Sequence, residues 1–277
     1  MTNLLEAIVN INALENLEVK DFYKSNNRVN KVGDALELFI TDAFANTFDK
    51  TEMQHIKEAY NKTFSYLASK NHPPDAILRG SDAIEVKKIK SSKASSLQFN
   101  SSYPTDKLLS SSPMITKACR QCEEWTMKDI IYAVGAVNER SIDALCLVYG
   151  EDYAASQEVY DRMRTTIRKS VNAIPGVEFY QDSNEIGLAK KIDPLKITYL
   201  RIRGMWGIQS PFKLFKYLEV GKFFAIINTK KYDNFPIESR NKIENTKGIK
   251  IEDCKIQDPN DPKKFKEAKL IRFMEAQ

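Results

Sequence analysis

Asn71-His72-Pro73-Pro74-Asp75-Ala76-Ile77-Leu78-Arg79-Gly80-Ser81-Asp82-Ala83-Ile84-Glu85-Val86-Lys87 is the stretch on which the reading of this chain turns. Asp75 to Leu78 is a short apolar run behind an acid. Arg79-Gly80-Ser81-Asp82 supplies turn residues, with Gly80 available for a positive φ. Ala83 to Ile89 follows, rich in β-branched residues. The stretch predicts a hairpin. Side chains on a strand alternate faces, so Glu85 and Lys87 share one face and Ile84 and Val86 the other. Alternation fails at Lys88 and Ile89, where the strand is expected to bend or reach a sheet rim.

The pattern is Pro-Asp, a spacer, then Glu-x-Lys. It sets two acids and a lysine on adjoining strands, an arrangement that can hold Mg²⁺ against a phosphodiester. Mg²⁺ prefers oxygen ligands and keeps several waters. Asp75 and Glu85 offer two carboxylates, and the backbone carbonyl of Val86 a third oxygen. A bound metal acidifies its water and stabilises charge on phosphate. Lys87 would then orient the nucleophile, help its deprotonation or balance the anion. The competing reading is an exposed hairpin with solvated charges. With only two histidines, His55 and His72, a serine-type triad or a histidine-metal centre has few candidates.

The chain has 277 residues, 42% of them hydrophobic, enough for a substantial core. Its net charge of +5 and pI of about 8.8 are compatible with nucleic acid without diagnosing it. No apolar run approaches the ~18 residues of a transmembrane helix. The start Met1-Thr2-Asn3-Leu4-Leu5-Glu6 lacks the features of a signal peptide, so a cytoplasmic protein is expected. Cys119-x-x-Cys122 has no second close pair, and the four cysteines read as structural thiols.

Helical spacing is visible over Leu4–Leu17 and again from Gly33 to Phe48, where Leu36, Ile40, Ala43 and Phe44 form a stripe. Glu37 lies on that second helix, either as an outer acid of a metal site or as a solvated charge. His55–Ala68 fits helix or strand. Ser91–Ser112 reads as loop, and its segment Leu97 to Pro104 as a polar turn. Ile115–Trp125 reads as helix. Asp129–Asn138 and Ala144–Tyr149 are strong buried-strand runs, joined by a turn at Asn138-Glu139-Arg140. Ser156–Val171 is a basic helix carrying Arg162, Arg164, Arg168 and Lys169, read either as a DNA-lining surface or as a solvated face. Ile197–Ile202 reads as a strand that continues into Arg203 to Ile208, placing Arg201 and Arg203 on one face. Trp206 there is a base wedge or a core residue. Phe223–Asn228 is another apolar strand, and Lys247–Gln277 looks peripheral. No repeat or linker divides the chain, so one domain over residues 1–277 is expected.

Several blocks in order resemble one family: Ser25-Asn26-Asn27-Arg28, Gly33-Asp34-Ala35-Leu36-Glu37, Pro73-Pro74-Asp75-Ala76, Asp82 to Ile89, Asn100-Ser101-Ser102, and Asp193 through Ile208. They look like the NgoPII-type restriction endonucleases and span most of the chain, from about residue 25 to about 230. The last 40 or so residues match only loosely. The resemblance implies an α/β fold of the PD-(D/E)xK superfamily, with a central mixed β-sheet flanked by helices. It implies a type II restriction enzyme that makes Mg²⁺-dependent double-strand cuts, with GGCC as target. Asp75, Glu85 and Lys87 become the catalytic residues; Asp75, Glu85, Val86 and Glu37 become the metal-site residues. The catalytic core falls at about 25–150, and DNA-recognition elements at about 91–112 and 156–230.

A palindrome is matched by a two-fold protein, so a homodimer on double-stranded DNA is expected, without a nucleotide cofactor. Arginine pairs with guanine O6 and N7, which makes Arg201 and Arg203 the expected readers. Arg79 is assigned to phosphate or base and Lys88 and Lys90 to phosphates. Asn100, Ser101 and Ser102 are assigned to the backbone or a base edge. Two other readings stay open: a structure-specific repair or recombination nuclease of the same fold, and a non-catalytic DNA-binding protein.

Overall fold

The computed structural model describes residues 2–19, 28–68, 72–100, 102–180 and 186–274; Ser101 and residues 20–27 and 69–71 lie outside it. Helix α1 (Leu4–Asn12) is capped by the Asn3 side chain, which accepts from Glu6 N at 3.2 Å. It is shorter than the Leu4–Leu17 periodicity predicts. Helix α2 (Arg28–Ala45) carries the expected Leu36, Ile40, Ala43 and Phe44 stripe, all buried. The ambiguous stretch is both things in turn: α3 (Met53–Thr63) runs directly into β1 (Phe64–Leu67). The predicted hairpin follows as β2 (Ala76–Leu78) and β3 (Ala83–Ile89), with Gly80 at φ +65° in its turn.

The stretch read as loop holds two strands, β4 (Ser96–Asn100) and β5 (Lys107–Leu109). The helix expected over Ile115–Trp125 shrinks to one turn, α4 (Lys117–Arg120). The two apolar runs form the hairpin β6 (Met127–Asn138) and β7 (Ser141–Tyr149), turning through Glu139 at φ +54°. Then come α5 (Gln157–Asn172), β8 (Glu178–Tyr180), β9 (Gly187–Lys190), β10 (Tyr199–Ile202), β11 (Met205–Gln209) and α6 (Pro211–Leu214). Strand β12 (Phe223–Asn228), helices α7 (Thr229–Asp233) and α8 (Ile237–Glu244), and the hairpin β13 (Lys250–Asp258)/β14 (Asp261–Arg272) complete the described chain.

The main sheet runs β1-β2-β3-β6-β7-β12-β14-β13, with β5 paired to the start of β6. It is mixed: β3 is parallel to β6 and β12 to β7, while the other pairs are antiparallel. The fold is therefore α/β with a central mixed sheet, as expected. The C-terminal hairpin is not peripheral. Its strand β14 lies inside the sheet beside β12, with Ala268, Leu270 and Ile271 buried. The alternating Lys and Glu residues of this hairpin disguise a strand that has only a short apolar stretch to bury.

The central strands are covered on both faces, which is why they read as continuous apolar runs. One core joins α1, α2 and α8 to Ile84, Val86, Ile131, Ala133, Leu145 and Leu147. The other packs Ala83, Ile89, Tyr132, Val134, Cys146 and Val148 against Leu97, Phe99, Phe212 and Phe215. At Gly135 the approach of α2 is so close that a Cβ would stand 2.8 Å from Leu36 Cδ2. Two small sheets stand apart, β10-β9-β8 and the ribbon β11-β4. No helix among the described residues is long and apolar enough to cross a membrane.

Candidate active site

The hairpin is built so that Asp75 faces the middle of β3. Ala76 pairs with Ile84 and Ile77 with Ala83. Asp75 extends the ladder: its N–H donates to Ile84 O at 2.9 Å, and its carbonyl accepts from Ala68 N at 2.8 Å. Beyond that point the side chain replaces the strand, and Oδ2 accepts from Val86 N at 2.6 Å. A residue's N–H and C=O point to the same side of a strand. The Val86 carbonyl is therefore turned toward Asp75, past the end of β2.

Glu85 and Lys87 share one face of β3, as alternation requires. Glu85 is 4% exposed, and its Oε1 accepts from Lys87 Nζ. Its other oxygen, Oε2, is buried with no hydrogen-bond partner. Burial, then the charges of Glu85 and Glu37, push the Asp75 carboxyl well above the usual carboxylate range, against the pull of Lys87 and the Val86 N–H. Burial alone would lower the Lys87 ammonium. Glu85 and Asp75 outweigh it, and the group is held protonated above its ordinary value. Two acids thus crowd one another in a poorly solvated place, which costs free energy in the absence of a cation.

The strand does not bend at Lys88. Its parallel ladder with β6 is continuous through Ile89, which is buried, while Lys88 and Lys90 are exposed. Glu37 is exposed on α2 and lines a groove with Asp75, Tyr60, Ile84 and Val86. Among the described residues no three His, Cys, Asp or Glu side chains cluster closely enough to hold a metal by themselves. A cation here would rest on the Asp75–Glu85 pair completed by backbone, water or substrate oxygens, a donor set suited to Mg²⁺.

The other predicted residues are dispersed. Arg79 Nη2 donates to Asn61 O and Phe64 O, each at 2.8 Å, tying the hairpin turn to the end of α3. Ser102 is only 7% exposed and lies with Glu85, Phe99, Tyr103 and Tyr132 in the wall of a pocket. Asn100 ends β4, its side chain outside the described atoms, as is Ser101. Arg201 and Arg203 are both exposed but do not share a strand face. Arg201 pairs with Leu188 in the β8–β10 sheet, and the chain leaves that sheet before Arg203 and enters the ribbon at Met205.

Trp206 is half-buried against Tyr103 and Tyr160, with centroids 5.8 and 5.6 Å away. On the basic helix α5, Arg164 is 6% exposed rather than solvated, and Arg168 Nε donates to Ile186 O at 2.8 Å.

Sequence reasoning missed Phe99, whose ring centroid lies 5.0 Å from Lys87 Nζ. The signal was present: Leu97 and Phe99 alternate with Ser96, Gln98 and Asn100. It also missed a charge network at the turn end of β3. There Lys231 Nζ donates to Asp82 Oδ1 at 3.0 Å and Asp129 Oδ2 at 2.5 Å, and Tyr149 donates to Asp82 Oδ2 at 2.7 Å.

Residues 2–257 match the family described as NgoPII restriction endonuclease. The chain is 42% identical over 278 residues to the type II restriction enzyme NgoPII of Neisseria gonorrhoeae, covering 98% of this chain and 99% of that one. No solved structure matches it.

Proposed function

We infer the reaction from one premise: this chain belongs to the NgoPII restriction endonuclease family. It is a type II restriction enzyme, a site-specific deoxyribonuclease, and DNA is its substrate. The finer reading is that it makes Mg²⁺-dependent double-strand cuts at GGCC, with Asp75, Glu85 and Lys87 carrying the chemistry. The observation that supports this most is the buried, unpartnered Oε2 of Glu85 beside the strained Asp75 carboxyl. Such a donor set fits a hard divalent cation, held by both carboxylates and the Val86 carbonyl. Glu37 would act from further out, through its charge.

When bound, that cation supplies positive charge against the attacked phosphate and acidifies water beside it. Lys87 is protonated in the metal-free chain, so it serves as a hydrogen-bond donor. It orients the attacking water and balances the charge that develops on the phosphate. Asp75 fixes the register of the site by its bond to Val86 N. Lys88 on β3 and Lys90 just past its end are exposed, and both are assigned to phosphates. Arg201 and Arg203 are the proposed guanine readers, and Asn100, Ser101 and Ser102 are assigned to backbone or base-edge contacts. Arg79 meets phosphate with the part of its guanidinium that does not hold the α3 carbonyls. Two copies related by a two-fold axis would present one site to each strand of a palindrome.

The test is incubation of unmethylated plasmid DNA with the protein and Mg²⁺, beside Glu85→Gln, followed by sequencing of fragment ends. Discrete ends within GGCC, absent with the variant, are expected. A different fixed site refutes GGCC; equal cutting by the variant refutes the assignment of Glu85.

A further inference from the structure

Lys87 has two close partners of different kinds. One is the Glu85 carboxylate; the other is the ring of Phe99, with Nζ 5.0 Å from its centroid. That distance lies within the ~6 Å over which an aromatic face attracts a cation. We propose that Phe99 is a positioning residue for Lys87, its ring face holding the ammonium in place when Glu85 no longer does. The inference rests on the reading of Lys87 as the catalytic lysine.

Glu85 is asked to do two things: to pair with Lys87 and to hold a divalent cation. A carboxylate committed to the cation holds Lys87 less firmly, and a lysine on its flexible four-carbon stem would then sample other positions. The ring's attraction comes from its quadrupole and is not spent when a cation arrives at Glu85.

The ring is itself firmly seated. Phe99 is 2% exposed and meets Tyr132 edge-on, with centroids 5.9 Å apart and planes at 81°. Tyr132 sits opposite Glu85 in the β3–β6 ladder. Its hydroxyl accepts from Thr105 N at 2.8 Å and donates to Thr105 O at 3.1 Å. From the other side the Phe99 backbone pairs with Trp206 on β11. A ring held from two elements is a fixed surface for a mobile cation.

The experiment replaces Phe99 with phenylalanine carrying one, two and three ring fluorines, which withdraw π density while nearly preserving shape. Single-turnover cleavage of a plasmid at saturating Mg²⁺ is measured together with metal-free DNA affinity, beside Phe99→Leu and Lys87→Met. The cleavage rate is expected to fall stepwise with fluorination, reaching about tenfold for the trifluoro chain. Phe99→Leu is expected to lose at least as much, with DNA affinity held within about twofold in every chain. An unchanged rate across the fluorinated series overturns the inference, as does a loss of DNA affinity that parallels the loss of rate. Lys87→Met cutting like the unmodified chain refutes the catalytic reading itself. Lys87→Met inactive beside a flat fluorine series refutes only the role of Phe99.

Discussion

Asp75→Asn should make the metal-free protein more stable and the enzyme inactive. Asn keeps the shape of Asp and can still accept the 2.6 Å hydrogen bond from Val86 N, but it removes one of the two crowded acids. Burial, Glu85 and Glu37 raise the Asp75 carboxyl. For a group raised on folding, the stabilising contribution is complete below its unfolded value, ~3.9, and is lost as pH rises through the higher folded value. At pH 8, well above the unfolded value, the metal-free wild type carries this penalty and the Asn variant does not. Relieving a poorly satisfied buried charge is worth about 1–3 kcal/mol. At ~2–4 °C per kcal/mol for a chain near this size, Tm in EDTA should rise by roughly 2–12 °C.

The gap should close as the pH is lowered toward 4, because the wild-type acid then becomes neutral as well. Saturating Mg²⁺ should reverse the order: a hundredfold excess over Kd adds about 2.7 kcal/mol to the wild type and little to the variant. Thermal melts at pH 8 and pH 4, with EDTA and with Mg²⁺, read all of this. A variant that melts below wild type in EDTA at pH 8, or a gap that ignores pH, would refute the reasoning.

Three further outcomes are expected. Lys231→Met takes one partner from each of Asp82 and Asp129, leaving Tyr149 on the first and Lys107 on the second; it should cost about 1–3 kcal/mol in denaturant melts, with cleavage retained at low temperature. Gly150→Ala places a Cβ 2.6 Å from Thr105 O, Asp106 O and Ile130 Cγ2, and should lower stability by about 3 kcal/mol in the same melts. Arg201→Ala should weaken specific binding by ~1–3 kcal/mol at one base position, read by competition with singly substituted sites; equal affinity for every competitor relative to wild type removes Arg201 as a reader.

The parts of this fold that were legible share a cause. The hairpin from Asp75 to Ile89 and the β6–β7 pair are local, and their turn residues and apolar runs lie next to one another in sequence. Strand β4 was hidden because its partner, β11, lies about a hundred residues away, and its outward positions are Ser, Gln and Asn. Strand β14 was hidden because Lys and Glu on its exposed length outnumber the few residues it buries. Arg201 and Arg203 looked like neighbours on one face because alternation presumes an unbroken strand, and the change of sheet before Met205 breaks it. That Asp75, Glu85 and Lys87 come together was legible from their spacing on one hairpin. The ring beneath the lysine was not, since only the fold brings Phe99 to Lys87.

Strand β3 is anchored on both sides: Ile84 and Val86 belong to one core, Ala83 and Ile89 to the other. A slip of one residue would exchange the faces and set Ile84 and Val86 where Glu85 and Lys87 now stand. Both cores would be holed by the same error, so the misaligned state is penalised twice. Placement of Glu85 and Lys87 is thus governed by neighbours whose side chains are buried in the two cores. An inherited change in either core reaches the chemistry only by threatening the whole sheet, whereas the segments that leave the sheet are at liberty to vary.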